Sequence, residues 1–181
     1  NKKKIIINGQ SMGELPDKKH ALQLSTSLVT TKEIKSVLVM GLGTGSYIRY
    51  MLENNNIEKV TVVDWSSEIY EVLVELGSEM EIGSIFSDDR VRFINGDARV
   101  MSLALKEEKF DLIIDNLVYP TWVGATGVRT PYYFKNLANL LNKDGYFALT
   151  TNYARYRNNI ISGLFDAFDN VYENKEGFIL L

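Results

Sequence analysis

Val37-Leu38-Val39-Met40-Gly41-Leu42-Gly43-Thr44-Gly45-Ser46 is followed, about 20 residues on, by Val60-Thr61-Val62-Val63-Asp64. An apolar strand runs into a glycine-rich turn and a helix, and a second apolar strand ends on a carboxylate. That order builds a Rossmann-like unit able to hold a nucleoside. Gly41, Gly43 and Gly45 let the backbone approach a ligand where a Cβ would stand in the way. Asp64 is an acceptor suited to both ribose hydroxyls. A dinucleotide fingerprint, G-x-G-x-x-G, wants glycine at position 46, and Ser46 stands there. A nicotinamide enzyme is therefore disfavoured.

Outward from this unit, strands and helices alternate. Strands are predicted over 37–40, 60–63, 91–94, 110–114 and 146–150, and helices over 46–53, 67–76, 98–105, 131–141 and 158–168. Ile69, Val72, Leu73 and Leu76 recur at helical spacing. Pro131 suits a first helical turn, and Lys143-Asp144-Gly145 is a stop signal. A short strand over 5–7 leads into a turn at Asn8-Gly9, residues 17–34 look helical, and 171–172 with 178–181 form a closing hairpin. The expected fold is α/β: a mostly parallel sheet with helices on both faces. It divides into a short N-terminal extension over 1–35 and a Rossmann-like domain over 36–181. In such sheets ligands bind beyond the carboxyl ends of the strands. Gly41, Asp64, Asp97 and Asp115 all fall just past such ends.

The bulk properties narrow the function classes. At 181 residues the chain can bury a real core, and 45% apolar with 24% charged residues is ordinary for a soluble protein. No apolar run reaches the ~18 to 20 residues that span a bilayer, and no secretory signal pattern is present. No membrane partner and a cytoplasmic location are the expectation. The absence of cysteine and the single histidine, His20, exclude a disulfide framework and a thiolate or His-rich metal site. A net charge of −3 argues against nucleic acid as a partner. Asn1 in place of Met points to a trimmed start.

The Gly41-Leu42-Gly43-Thr44-Gly45 form is the one usual in enzymes that use S-adenosylmethionine (AdoMet). Asp88-Asp89-Arg90-Val91 precedes the third strand, and Asn95-Gly96-Asp97-Ala98 follows it. Gly124-Ala125 and Arg129-Thr130-Pro131-Tyr132-Tyr133-Phe134 lead into the next helix. Together these segments resemble the spermidine synthase (aminopropyltransferase) family over residues 36–150, and more loosely over 5–35. Asn8-Gly9-Gln10-Ser11 and His20 are similar to that family's Asp-Gly-x-x-Gln turn and Tyr-His-Glu motif.

The resemblance implies an AdoMet-methyltransferase-type fold with a short N-terminal β segment. It implies a transferase of polyamine biosynthesis that binds decarboxylated AdoMet, or AdoMet, and passes an aminopropyl group to a small-molecule amine. No metal is expected, and a homodimer is the assembly suggested by analogy. On this resemblance Asp64 binds the ribose, and Asp97 with Ala98 holds the adenine. The 41–45 loop lies against the sulfonium end. Asp115 is the candidate base or amine-positioning carboxylate, and Gln10 and His20 close over the site.

Several of these positions have a second reading. Trp65 packs on the adenine or covers the following helix. Tyr119 and Trp122, on a substrate loop, sort acceptors by shape or cation–π attraction, or pack over the core. Asp97 is also a good helix N-cap, and Asp115-Asn116 is ordinary turn chemistry. Two departures bear on chemistry. Thr44 stands where the family commonly has Asp, which removes a charge that would repel the carboxylate of intact AdoMet. Asp115-Asn116-Leu117-Val118-Tyr119-Pro120 replaces Asp-Ser-Ser-Asp-Pro, so the second Asp is missing. Methyl transfer and a catalytically silent AdoMet-binding module are the alternatives.

Overall fold

The computed structural model describes residues 3–7, 10–15, 33–77, 82–117, 125–150, 157–173 and 178–180. β1 (Lys3–Ile7) and β2 (Gln10–Leu15) form an antiparallel two-stranded sheet of their own. The main unit runs β3 (Ser36–Met40), α1 (Ser46–Leu52), β4 (Lys59–Asp64), α2 (Ser67–Leu76), α3 (Ser84–Ser87), β5 (Val91–Asn95), α4 (Ala98–Ala104) and β6 (Phe110–Asp115). A 3-10 turn (Ala125–Arg129), α5 (Pro131–Ala138), β7 (Leu141–Thr150), α6 (Arg157–Phe165), β8 (Tyr172–Glu173) and β9 (Phe178–Leu180) complete it.

The second sheet has seven strands in the order β5-β4-β3-β6-β7-β9-β8. β5 through β7 are parallel, whereas β9 is antiparallel to β7 and to β8. The expected α/β class, parallel core and closing hairpin are all present. The antiparallel β9 sets this sheet apart from the all-parallel dinucleotide fold. The order reverses between β3 and β6, so a crevice opens there at the carboxyl ends of the strands.

Both faces of the sheet are covered, which is why its strands read as continuous apolar runs rather than alternating ones. Val37, Val39, Val60, Val62, Leu112 and Ile114 pack with Ile48, Met51, Leu73 and Ile85 from α1 to α3. Leu38, Met40, Val63, Ile113, Phe147 and Leu149 pack on the other face with Phe134 and Leu137 of α5 and Ile160 and Leu164 of α6. Helix starts follow capping chemistry. Ser66 Oγ accepts the Ile69 N–H at 3.3 Å, and Thr130 Oγ1 accepts the Tyr133 N–H at 3.2 Å, with Pro131 in the first turn.

Some bounds differ from expectation. α5 stops at Ala138, and β7 already begins at Leu141. The 143–145 stop signal sits inside that strand as an irregularity: Asp144 has φ 62°, and pairing jumps from Phe110–Leu141 to Leu112–Tyr146. β2, α3 and the 3-10 turn were not expected, because segments of four to six residues carry too little periodicity. Most of the helix expected over 17–34 lies outside the described residues.

Two polar clamps tie the layers away from the crevice. Arg90 makes a fork onto Asp88 at 2.7 and 2.9 Å and also donates to the carbonyls of Leu52 and Ile57. The Asp88–Arg90 motif therefore joins the end of α1 to the start of β5. At the amino ends of β3 and β6, Asp111 accepts the N–H groups of Lys35 and Ser36, the Ser36 hydroxyl and the Asn142 amide.

Burial alone would raise the Asp111 carboxyl, but these donors outweigh it and hold it below the usual carboxylate range. A carboxyl lowered on folding stabilises above its unfolded pKa, and that contribution is lost as pH falls through its folded value. The stability advantage of the wild type over Asp111→Asn is thus expected to be full at neutral pH and to shrink below about pH 4. Urea midpoints of both proteins across that range check it.

Candidate nucleoside and transfer site

The glycine loop leaves β3 at the centre of the crevice. Gly41, Gly43 and Gly45 adopt φ of 95°, 56° and 71°. A Cβ on Gly41 would lie 2.7 Å from the Asn116 carbonyl oxygen, and one on Gly43 would lie 2.7 Å from the Asn116 amide nitrogen. The close approach that demands glycine is therefore to the chain itself, where β6 ends. Sequence reading assigned that need to a ligand and missed Asn116. Tyr47 is a second unforeseen support. Its buried hydroxyl donates to the Gly41 carbonyl at 2.6 Å, and burial pushes its phenol well above the ordinary range.

Asp64 ends β4 beside this loop and is 7% exposed. Its Oδ2 accepts the Leu42 N–H at 2.8 Å and its Oδ1 accepts the Ser66 N–H at 3.0 Å. Burial raises its carboxyl, against the pull of these backbone donors. The Trp65 N–H is also directed at this carboxylate, and the acceptor capacity that remains among its four sites is open to a hydroxyl. The arrangement fits a vicinal diol.

Next along the sheet edge, the Gly96 N–H bonds the Asp64 carbonyl at 2.9 Å, which sets the turn that carries Asp97. Asp97 is the N-cap of α4, accepting the Arg99 N–H at 2.8 Å. Its carboxylate also pairs with the Arg99 guanidinium, which holds it below the usual carboxylate range. The capping alternative is thus realised, with Arg99 as an unforeseen partner. Ala98 is buried behind it. Trp65 is 63% exposed and lines an apolar groove of about 620 Å³ with Ile5 and Ile6 of β1 and Ile69 and Val72 of α2.

On the other side of the loop, Asp115 ends β6 with no exposed surface. Its Oδ1 accepts the Leu117 N–H at 3.1 Å, and its Oδ2 accepts from Arg129 at 2.6 Å. Arg129 is 92% buried, since its side chain is 8% exposed. It also donates to the carbonyls of Leu117 and Val128. The base expected at Asp115 is therefore a carboxylate already joined to a buried cation. Arg129 lies in a segment singled out in the sequence, yet its pairing depends on a chain reversal that no local spacing announces.

The structure thus brings Gly41, Gly43, Gly45, Asp64, Trp65, Asp97, Ala98 and Asp115 to one edge of the sheet. Gln10 opens β2 opposite Ile7. His20, Tyr119 and Trp122 lie outside the described residues. Among the described residues, no group of three or more His, Cys, Asp or Glu side chains could hold a metal ion. No described helix is long and apolar enough to cross a membrane.

Comparison with known proteins adds an independent line. The family model of the spermine/spermidine synthase domain matches residues 20–178. The polyamine aminopropyltransferase of Aeropyrum pernix is 26% identical over 148 residues, covering 80% of this chain and 47% of that protein. The chain therefore spans about half the length of this curated relative. Among solved structures, a spermidine synthase in complex with the transition state analogue AdoDATO aligns with a TM-score of 0.78 and 18% identity, over 97% of this chain and 64% of that one. Human methyltransferase-like protein 13 in complex with SAH aligns with a TM-score of 0.63 and 17% identity, over 89% of this chain and 76% of that one. At these identities the structural likeness establishes the Rossmann-like methyltransferase-type fold.

Proposed function

The chain belongs to the spermine/spermidine synthase family, and from that premise we propose that it transfers an aminopropyl group from decarboxylated AdoMet to an amine. The observation that carries the reading is Asp64. It is a buried carboxylate at a strand end, held by backbone N–H groups, that keeps acceptor capacity for the ribose hydroxyls. Asp97 and Ala98 take the adenine end, with the Asp97 carboxylate shared between the adenine amino group and the Arg99 guanidinium. Trp65 borders the same end. The loop from Gly41 to Gly45 backs the sulfonium, and Asp115 stands at the β6 side, where the acceptor enters.

When bound, the sulfonium supplies an activated carbon and a neutral thioether leaving group, so no general acid is needed. The chain's contribution is then to hold the two reactants together in a site that excludes water. The acceptor nitrogen must attack unprotonated, and a carboxylate near it can accept or steer its proton.

The proposal is tested by incubating the protein with decarboxylated AdoMet or AdoMet and a panel of amines, then identifying the nucleoside released. Methylthioadenosine from the decarboxylated donor is the expected product. Adenosylhomocysteine from AdoMet would move the assignment to methyl transfer, which the neutral Thr44 would permit. Calorimetric titration that detects neither donor at millimolar concentration would overturn the nucleoside site itself.

A further inference from the structure

Arg129 is not explained by nucleoside binding. It lies 14 residues after Asp115 in sequence and pairs with it where β6 ends. Two observations define its role. The contact to Asp115 is short, 2.6 Å, between a carboxylate with no exposed surface and an arginine side chain that is 8% exposed. The Arg129 Nε is buried and has no hydrogen-bond partner among the described residues.

A buried ion pair has a net charge of zero, and the attraction between the partners offsets part of the desolvation of each. The second ammonium of a diamine that approaches Asp115 therefore meets a carboxylate whose charge is already balanced by Arg129. That ammonium would also meet the guanidinium. Like charges at close range in a low-dielectric site are strongly unfavourable. The Nε–H points the same way, since it would donate to a neutral or anionic oxygen and repel a cation.

We infer that Arg129 determines acceptor specificity: by neutralising Asp115 it makes the site select a monoamine, with neutral or anionic substituents, over an α,ω-diamine. This inference rests on the aminopropyl-transfer reading and names its acceptor class. Arg129 acts through Asp115 and is a specificity-determining residue, not a catalytic one.

The test is calorimetric. Methylthioadenosine is titrated first. Then 1,4-diaminobutane, n-butylamine and 4-aminobutyrate are titrated into the wild type, Arg129→Met and Arg129→Lys. In the wild type the diamine is expected to bind no more tightly than butylamine. In Arg129→Met the diamine-to-monoamine affinity ratio should rise by about tenfold or more, because Asp115 is released to the second ammonium. Arg129→Lys keeps the charge and should keep the wild-type ratio.

A merely structural arginine would weaken all three amines together and leave the ratio unmoved, which would overturn the inference. A wild type that prefers the diamine tenfold would overturn it as well. Should Arg129→Met fail to fold, the wild-type ratio and Arg129→Lys decide. Absence of methylthioadenosine binding counts against the nucleoside reading. The amine ratio, measured on the free protein, then still decides the role of Arg129.

Discussion

Gly41→Ala is expected to lower the unfolding free energy by about 3 kcal/mol or more. Two costs combine. A side chain at φ 95° is strained wherever it stands. The new methyl would also lie 2.7 Å from the Asn116 carbonyl oxygen, a backbone atom that cannot swing away. Asn116 is itself fixed by its N–H bond to the Met40 carbonyl at 2.8 Å, so relief on one side disturbs β3 on the other. Gly163→Ala is the control. It lies in α6, and its added methyl would find Phe134 at 3.4 Å, ordinary contact. That variant should be neutral or stabilising by up to about 1 kcal/mol. Urea unfolding of the two variants beside the wild type gives the comparison, and equal midpoints would show that the loop adapts freely.

Asp64→Asn is expected to cost about a hundredfold or more in nucleoside affinity while leaving the fold intact. Both carboxylate oxygens accept a backbone N–H, so an amide NH2 in either position faces a donor and loses that bond. It also removes one acceptor from the diol. The pH dependence should agree. Because burial raises the Asp64 carboxyl, wild-type affinity should start to fall at a higher pH than an ordinary carboxylate would allow, as protonation turns an acceptor into a donor. Asp64→Asn should show no such step. Calorimetric titration with methylthioadenosine at several pH values reads both effects, and a variant that binds as tightly as the wild type would remove Asp64 from the site.

How much of this could be read from the residues depends on range. The runs ending at Met40, Asp64 and Asp115 are apolar without alternation, which identifies buried parallel strands. Their ends then place Gly41, Asp64, Asp97 and Asp115 on one edge of the sheet. Helix α2 was legible to the residue because Ile69, Leu73 and Leu76 recur at helical spacing, with Leu73 at the buried centre of that face. What escaped was set by contacts distant in sequence. Asn116 filling the space beside Gly41 and Arg129 closing on Asp115 join segments that no periodicity connects. Arg99 lies two residues from Asp97, close enough to foresee. An Asp followed two positions later by Arg at a helix start invites the pairing, as it does at Asp88 and Arg90. The chain reversal that brings Arg129 back had no comparable signal.

The loop's dependence on Asn116 has a bearing on how the protein folds. Residues 41–45 take their shape against β6, about 75 positions further along, and are held from the other side by Asp64. No early fragment of the chain contains both supports. The loop therefore takes its shape only when the non-local, slow-forming centre of the sheet closes, and the proposed nucleoside site would vanish in the same cooperative step on unfolding. A bound nucleoside then acts on the whole fold: it protects the distant Asp111 clamp as effectively as the loop it touches, in proportion to the logarithm of its concentration.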